Sequence, residues 1–494
     1  MTPTDMNATD MAGTDTRRWY ALCLLCVAGF MVILDAQIVV LALPSIADGL
    51  GVSASGAQWV MSAYLLSFGG LLLLGGRIAD LLGRRRVFMT GTLLFGLSSL
   101  LCGLAGTAGV LIAARAVQGV SAAVMAPTAL SILLNTFEEG SERNKALAVW
   151  SGSGGFGATA ALLIGGPLTD AFGWRWVFFL NVPVALLLLA LSPVLLRESR
   201  METRTRSFDP LGALTATGAL VACVYAVVGA PHAGWLSART TGLLVLAAVM
   251  TLVFVRTESR VPAPLVPLRL LRSRTVSGAN LVVFLLGATC FGMSYTLSQY
   301  GQEVLGWSPL RFGLANVVMP LGAVVGSYAG QALVTRLGAR RVAAGGLTLV
   351  GAAALLLSGV PVHGTFVEDL LPALLLFGPG VGACAVAGSI ASLTGVGECD
   401  SGVASGIQTA AFQIGGALGV AVVTIFYTTG IPTAGYQAAF TACAVLAATG
   451  LTCTMALPGP MSHLRGAGRV NMRLRRVGAT SPHRPADDLT RQAH

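Results

Sequence analysis

The chain carries two related stretches, GGRIADLLGRRRV from Gly75 to Val87 and GQALVTRLGARRV from Gly330 to Val342. The two stretches align without a gap, 255 positions apart. Each one joins two long apolar segments. The repeat therefore indicates a chain built from two related halves, an arrangement typical of membrane proteins with internal structural repeats.

The composition places most of the chain in lipid. Of its 494 residues, 54% are hydrophobic and 11% are charged, whereas about a quarter of a soluble domain is charged. The first apolar segment, 19–43, is too long for the core of a signal peptide. The net charge of +10 is spread over many joints, so binding of nucleic acid is not expected.

Fourteen apolar segments reach roughly the 20 residues that cross a bilayer, the weakest being 239–255. They lie at 19–43, 57–76, 87–106, 109–135, 146–169, 174–196, 209–229, 239–255, 277–301, 310–334, 341–360, 369–394, 402–428 and 436–457. Of the 31 Lys and Arg residues, only Arg175, Arg239 and Arg311 fall in the joints of one side, and Arg115 lies within a span. Because short cytoplasmic loops collect positive charge, both termini are expected in the cytoplasm.

The predicted fold is all-α, a polytopic membrane protein with 14 transmembrane helices in two six-helix bundles plus a central extra helix pair. The expected units are a cytoplasmic N-terminal tail (1–18), a first bundle (19–196), a two-helix insert with basic flanks (197–276), a second bundle (277–457) and a basic, disordered cytoplasmic tail (458–494). Duplicated halves of this kind are a feature of secondary transporters.

Asp35 is the only carboxylate well inside a predicted span, and Arg115 is the only basic residue at a comparable depth. A charge at mid-membrane costs at least about 2.5 kcal/mol, so such residues are functional by default and normally face a partner. We expect Asp35 to take up and release a proton while Arg115 tunes its proton affinity. The alternative is a static ion pair that fixes helix register.

Three glutamines are candidates for a substrate cavity, namely Gln37, Gln118 and Gln299. Gln37 and Gln118 flank the Asp35–Arg115 pair in sequence and are expected to line the same cavity. Polar residues between membrane helices also serve as simple interhelical contacts, and that alternative stays open.

The loop after the second span is a candidate conformational gate. It combines small residues, an acid and clustered guanidinium groups, which can lock two helix ends together in one conformation and release them in another. Its members are Gly76, Asp80, Gly83, Arg84, Arg85 and Arg86. The simpler alternative, positive charge on the inner side of the membrane, explains the arginines but not the glycines and the acid.

Glycines crowd the fifth span, where small residues let membrane helices approach, slide or bend. Gly157, Gly165, Gly166 and Pro167 are candidates for a helix-packing hinge. Tight packing without movement is an equally good explanation.

Motifs for nucleotide hydrolysis and for catalysis are missing from the sequence. The only lysine, Lys145, lies in ERNKAL without a glycine-rich phosphate loop, and neither H-E-x-x-H nor G-x-S-x-G occurs. We therefore expect a protein that is not an enzyme, binds no metal and needs no cofactor, and that is driven by the proton gradient.

Four stretches resemble the major facilitator superfamily and, within it, the fourteen-helix drug:proton antiporter branch. They are LDAQIVVLALPSI (Leu34–Ile46), GGRIADLLGRRR (Gly75–Arg86), LIAARAVQGVSAA (Leu111–Ala123) and WRWVFFLNVP (Trp174–Pro183). The resemblance covers residues from about 19 to 457. It implies a two-bundle fold, alternating access, and efflux of drugs or antibiotics in exchange for protons.

Some positions depart from that branch. Gln37 and Val40 stand where the branch usually has Thr and Asn, and Ala161 and Leu162 stand about where its fifth helix has a Gly-Pro pair. Gly166 and Pro167 supply such a pair further along the helix.

The expected protein is a monomeric, multi-pass exporter of small lipophilic or cationic compounds in a bacterial cell membrane. Its partners are the substrate, protons and the lipid bilayer. Two other functions remain open at this stage: a proton-coupled transporter of a metabolite such as a sugar, an amino acid or a siderophore, and a transporter-like membrane receptor or scaffold.

Overall fold

The structure is a computed structural model. It describes residues 3–137, 141–199, 210–261, 264, 266, 268–394, 396, 398–428 and 433–456. Within these ranges the chain is helical and contains no strand. The predicted C-terminal tail, 458–494, lies outside the described residues, whereas the predicted N-terminal tail is already helical from Pro3 and leads into an apolar span at Arg17.

Fourteen helices in the described part are long and apolar enough to cross a membrane, as the sequence predicts. They are α1 (Pro3–Leu50), α2 (Ala54–Leu82), α3 (Arg84–Leu104), α4 (Ala108–Thr136), α5 (Ser141–Phe172), α6 (Trp176–Leu195), α7 (Pro210–Ala233), α8 (Ala238–Glu258), α9 (Arg274–Val304), α10 (Pro309–Leu337), α11 (Ala339–Leu357), α12 (Phe366–Leu393), α13 (Glu398–Thr424) and α14 (Ala434–Ala456). The weakest predicted span, 239–255, is the 21-residue helix α8.

Several of these helices are locally irregular. Helix α6 is interrupted at Leu180 and α10 at Val317, while the last turn of α9 (Tyr300–Val304) and the first turn of α12 (Phe366–Leu370) are wider π turns. Such turns leave part of the regular hydrogen-bond ladder unmade and often mark functional sites in membrane and soluble helices.

The repeat seen in the sequence recurs in the backbone. Gly83 ends α2 with φ of 106°, and Gly338, its counterpart 255 positions later, ends α10 with φ of 83°. Only glycine adopts such positive φ values without strain. In both halves a glycine with positive φ therefore makes the turn from one helix into the next at the equivalent joint.

A second repeated joint connects α1 to α2 and α9 to α10. Gly51 and Gly306 have φ of 64° and 62°, and each is followed by a serine whose side chain caps the next helix. Ser53 accepts a hydrogen bond from the amide of Gly56, and Ser308 accepts one from the amide of Arg311. An N-cap serine satisfies an amide that the helix itself leaves unpaired.

Helix packing follows the same repeat. In the first half α2 packs on α4, α1 on α5 and α3 on α6, and in the second half α10 packs on α12, α9 on α13 and α11 on α14. A Cβ added at Gly75 would collide with the carbonyl oxygen of Ala123, and one added at its counterpart Gly330 would lie 2.8 Å from Cα of Ala383. Glycine at both positions lets the crossing helices approach closely.

In the described part of the chain the two halves meet chiefly where α1 packs on α9, α2 on α13, and α5 on α10. We call the end of the protein that carries the α1–α2 joint the outer end, and the opposite end, with the α2–α3 joint, the inner end. At the outer end Ser298 donates a hydrogen bond to the carbonyl of Val40, and Gln302 donates one to the carbonyl of Leu41. The halves are therefore in direct contact on the outer side of the α1–α9 pair.

The extra helices α7 and α8 pack on each other, and α7 also packs on α2 and α13. Thr217 of α7 lies against Gly70, and the ring of Tyr225 lies 5.7 Å from that of Trp59. The pair thus covers the α2–α13 contact from the side, as a peripheral element between the two bundles.

Candidate functional site

The structure brings Asp35 and Arg115 together in the interior of the first half. Both side chains are fully buried, and Nη1 of Arg115 lies 2.6 Å from Oδ2 of Asp35. Asp35 lies near the middle of the apolar span of α1, Arg17–Leu50, and Arg115 lies two turns below the start of α4. A short, charge-assisted hydrogen bond of this kind is among the strongest that side chains form.

The second carboxylate oxygen of Asp35 is also occupied. Oδ1 accepts hydrogen bonds from Nε2 of Gln118 at 2.9 Å and from Nδ2 of Asn181 at 2.7 Å. Ser99 joins these two amides, since its hydroxyl oxygen accepts from Gln118 at 2.6 Å and from Asn181 at 3.3 Å. The carboxylate thus ties α1 to α4 and α6, and Ser99 adds α3 to the network.

Arg115 makes contacts beyond its carboxylate partner. Its Nε donates to the carbonyl of Val60 at 3.0 Å, and its Nη1 also donates to Oε1 of Gln118 at 2.7 Å. The guanidinium lies over the ring of Tyr64, 4.2 Å from the centroid. Among the described residues its buried Nη2 has no hydrogen-bond partner, so the π face of Tyr64 provides part of the stabilisation that water would give a cation.

This network encloses a carboxylate and a guanidinium in a place that solvent does not reach directly. Burial penalises any unpaired charge, so protonation of Asp35 would leave Arg115 as an uncompensated cation. Proton binding must therefore be accompanied by rearrangement of the partners. The role of this pair in coupling a proton to helix movement stays a prediction.

A narrow cleft lies between the two halves. Its polar lining residues are Gln37 on α1, Ser294 on α9 and Asn316 on α10, and the rest of its wall is apolar. The apolar lining residues are Val40, Leu41, Ala158, Leu162, Leu297, Phe312, Met319 and Pro320. The space open to the centre of a water molecule is only about 30 Å³, which holds a water or two but no drug-sized molecule.

The three candidate cavity glutamines thus occupy different places. Gln37 lines the cleft, Gln118 belongs to the Asp35 network, and Gln299 is buried on α9, where it donates to Glu303 at 2.9 Å. In this conformation Gln118 and Gln299 lie outside the cleft wall.

The α2–α3 joint contacts the chain that follows α6. The amide of Arg84 donates to the carbonyl of Ser199 and the amide of Arg85 to Oε1 of Glu198, both at 3.1 Å. Nε of Arg86 lies 3.8 Å from the other oxygen of Glu198. These contacts fasten two inner helix ends of the first half to each other.

The other members of the candidate gate are less informative. Gly76 lies beside Pro127: a Cβ added at Gly76 would lie 3.7 Å from Cβ of Pro127. The side chain of Asp80 lies outside the described part of the structure. The gate itself stays a prediction.

The candidate hinge residues on α5 face two different neighbours. Gly157 packs on the carbonyl of Phe30, and Gly165 packs on Ile38, so both let α5 approach α1. A Cβ at Gly166 would lie 2.8 Å from both Pro309 O and Leu310 Cα, so this glycine faces α10 in the other half. Pro167 lies within the helix one residue later.

Two members of the buried network were not singled out by the sequence. Asn181 lies in the stretch WRWVFFLNVP, directly after the interruption of α6 at Leu180, and a polar residue at that position within an apolar helix was a usable signal. Ser99 carries no such signal, because serines occur throughout these spans. Its role depends on how α3 packs.

The sequence profile of the Major Facilitator Superfamily matches residues 25–419 and 279–469. Puromycin resistance protein pur8 of Streptomyces alboniger is 41% identical over 419 residues, which cover 84% of this chain and 83% of the relative. Cephamycin export protein CmcT of Amycolatopsis lactamdurans is 36% identical and covers 85% and 86%, respectively. The tetracenomycin C resistance and export protein of Streptomyces glaucescens is 32% identical and covers 86% and 78%.

Solved structures show the same fold at lower identity. The crystal structure of a peptide transporter, POT, in complex with sulfate matches with a TM-score of 0.65 and 19% identity, covering 88% of this chain and 94% of that one. The chain therefore belongs to the major facilitator superfamily, as a fourteen-helix efflux transporter whose relatives include antibiotic resistance and export proteins.

Proposed function

We propose that this protein exports antibiotics or other small lipophilic compounds across the bacterial cell membrane in exchange for protons. The observation that carries the proposal is the arrangement on α1. Asp35 is held by Arg115 on one side of the helix, and Gln37 lines the cleft between the halves on the other. One helix thus links the proton-binding candidate to the substrate-binding candidate.

The coupling follows from the contacts of Asp35. Loss of its charge releases the hold of Arg115 and weakens the hydrogen bonds from Gln118 and Asn181. Helix α1 is then less tightly tied to α4 and α6 and can shift. Because Gln37, Val40 and Leu41 of α1 form one wall of the cleft, that shift changes the shape of the cleft.

The chemistry of the cleft favours lipophilic cargo. None of its lining residues is charged, and most are apolar. Pockets for small molecules are typically apolar with a few polar groups that set orientation, here Gln37, Ser294 and Asn316. The relatives named for puromycin, cephamycin and tetracenomycin C support antibiotics as the substrate class.

The proton gradient is sufficient as the driving force. Moving one elementary charge across 100 mV is worth about 2.3 kcal/mol, enough for roughly a fiftyfold concentration gradient of an uncharged substrate. We propose that export needs no cofactor or nucleotide, that both termini lie in the cytoplasm, and that one chain, which contains both halves, is the working unit. The protein acts as a carrier and not as an enzyme.

Purified protein in liposomes tests the proposal directly. We expect uptake of a fluorescent or radiolabelled antibiotic into inside-out liposomes when the lumen is acidic, and loss of uptake when an ionophore collapses the proton gradient. Drug susceptibility, compared between hosts with and without this protein and deleted for their own pumps, identifies the class of drug. Proton-dependent uptake of a sugar or an amino acid, with no antibiotic transported, would contradict the proposal in favour of a metabolite carrier.

A further inference from the structure

Two buried polar side chains on α2 lack partners. Gln58 and Ser62 are both 0% exposed, and neither the amide atoms of Gln58 nor the hydroxyl oxygen of Ser62 makes a hydrogen bond with a described residue. Buried polar groups are nearly always hydrogen-bonded, and each exception calls for a physical explanation. The Asp35 network does not include either residue.

The helical spacing shows which neighbour these side chains face. Gln58 and Ser62 lie on the same face of α2 as Gly69 and Leu73, because residues 4, 11 and 15 positions after Gln58 return to the same side of an α-helix. Gly69 packs against Ala410 and Gln413, and Leu73 packs against Gly406. All three of these contacts belong to α13, so this face of α2 is the face toward the second half.

The other faces of α2 have different neighbours. Tyr64 contacts Arg115, and Gly75 packs on Ala123, so that side faces α4 within the first half. Gly70 faces α7. The unpartnered polar groups are therefore directed at the interface between the halves and not at the interior of one bundle.

Their depth places them at the outer end of this interface. Helix α2 begins at Ala54, so Gln58 lies about one turn and Ser62 about two turns from its outer end. At this end the halves are held together by Ser298 and Gln302. Gln58 and Ser62 are thus enclosed in the conformation in which the outer end is closed.

We infer that Gln58 and Ser62 line the outer part of the substrate path and become hydrated when α2 and α13 separate. The closed outer contact carries unsatisfied polar atoms, and opening satisfies them with water or with the donors and acceptors of the leaving substrate. Their hydration therefore favours the outward-open state. No charged residue occurs in α2 between Ala54 and Gly76, so the outer part of the path suits an uncharged, hydrogen-bonding molecule.

The inference rests on the alternating access of the proposed function, but thiol labelling tests it without any drug. Intact cells that carry the Gln58→Cys or the Ser62→Cys variant are treated with a membrane-impermeant maleimide added from outside. Ala57→Cys is the matched control, because Ala57 is equally buried but lies on the α4 face with Tyr64 and Gly75. The parent protein with its nine native cysteines gives the background.

We expect labelling at positions 58 and 62 and none above background at position 57. Labelling no faster at positions 58 and 62 than at 57, in a carrier that exports drug, would overturn the inference while leaving the proposed function intact. Labelling at 58 and 62 in a protein that transports no antibiotic supports the inference and removes the proposed substrate class.

A second variant separates this role from a merely structural one. Gln58→Leu combined with Ser62→Ala removes the unsatisfied atoms while keeping the side chains close in size. We expect a higher melting temperature for the outer-closed protein together with an export rate lowered by roughly tenfold, because the closed state no longer carries the penalty that buried unpaired groups impose. A variant that melts lower, or that exports at the parental rate, would contradict the inference.

Discussion

Asp35 and Gln37 are two residues apart on α1 but face opposite sides of that helix. Asp35 is held inside the first half by Arg115, Gln118 and Asn181, whereas Gln37 lines the cleft between the halves. A two-residue step turns an α-helix by about 200°. The proton site and the cleft are therefore separated by one helix, and they communicate through movement of that helix and not through direct contact.

The first prediction concerns the charge of Asp35. Asp35→Asn keeps the size and most hydrogen bonds of the side chain but cannot gain or lose a proton. We expect normal membrane insertion and loss of uphill export, measured as drug accumulation in everted vesicles under a proton gradient.

Asp48→Asn is the control, because Asp48 is an exposed carboxylate at the outer end of the same helix. This variant is expected to export at the parental rate. Full uphill export by Asp35→Asn would remove Asp35 from the coupling mechanism.

The second prediction concerns the partner of that charge. Arg115→Gln leaves Asp35 as a buried carboxylate without its cation, and breaking a buried pair in this way costs about 3–5 kcal/mol. We expect a markedly lower melting temperature in detergent. Combining Arg115→Gln with Asp35→Asn removes both charges, so the double variant is expected to recover much of the stability but not the transport.

A double variant as unstable as Arg115→Gln alone would show that Arg115 acts mainly through its contacts with Tyr64 and Val60. The double-mutant cycle thus separates the contribution of the charge pair to stability from that of the packing of the guanidinium.

The Asp35–Arg115 pair illustrates how much of the site the sequence predicts. Counting residues from the outer ends of two spans was enough to place both side chains at one depth, since an α-helix rises by a fixed 1.5 Å per residue. The rotation of each helix cannot be counted in this way. That is why Gln37 and Gln118 were expected in one cavity, whereas the structure places them on opposite sides of α1.

The fold was more predictable than the site. Hydropathy predicts fourteen apolar spans, and the related stretches at Gly75 and Gly330 predict one repeated inner joint. The repeated outer joint, with Gly51 and Ser53 matching Gly306 and Ser308, was equally present in the sequence. The sequence alone does not single it out, because the residues between and after these positions differ, and only the backbone angles reveal the match.

The third prediction uses the repeated glycines of the inner joints. Gly83 and Gly338 have φ of 106° and 83°, values that cost an L-residue about 1–3 kcal/mol. Gly83→Ala and Gly338→Ala are each expected to lower the melting temperature. Gly345→Ala is the matched control, because Gly345 lies in α11 with nothing within 4 Å of an added Cβ, where alanine favours the helix.

Equal melting temperatures for Gly83→Ala and Gly345→Ala would show that the α2–α3 joint tolerates another backbone conformation. The measurement is a thermal denaturation series in one detergent.

The fourth prediction concerns Asn181, which the sequence did not single out. Asn181→Ala removes a hydrogen bond to a buried carboxylate, and such bonds are worth about 1.5–3 kcal/mol. We expect lower stability and slower export. Ser192→Ala on the same helix is the control, because the fully buried Ser192 donates only to the carbonyl of Leu188 in its own helix, so its loss leaves the network unchanged.

The last prediction concerns the contact between α5 and α10. A Cβ at Gly313 would collide with the carbonyl oxygen of Leu162, and one at neighbouring Gly166 would lie 2.8 Å from Cα of Leu310. Gly313→Val therefore holds the two helices apart near the outer end. If closure of this contact is part of the transport cycle, the variant should reach the membrane in normal amounts, export slowly, and react faster with an impermeant maleimide at Gln58→Cys.

Gly152→Ala provides the comparison, because nothing lies within 4 Å of a Cβ added at this exposed position of α5. We expect parental export from that variant, which shows that substitution of a glycine in α5 is not harmful in itself. Parental export by Gly313→Val would mean that α5 and α10 need not approach closely for turnover. The closed outer contact would then depend on α1 and α9, where Ser298 and Gln302 reach across to the carbonyls of Val40 and Leu41.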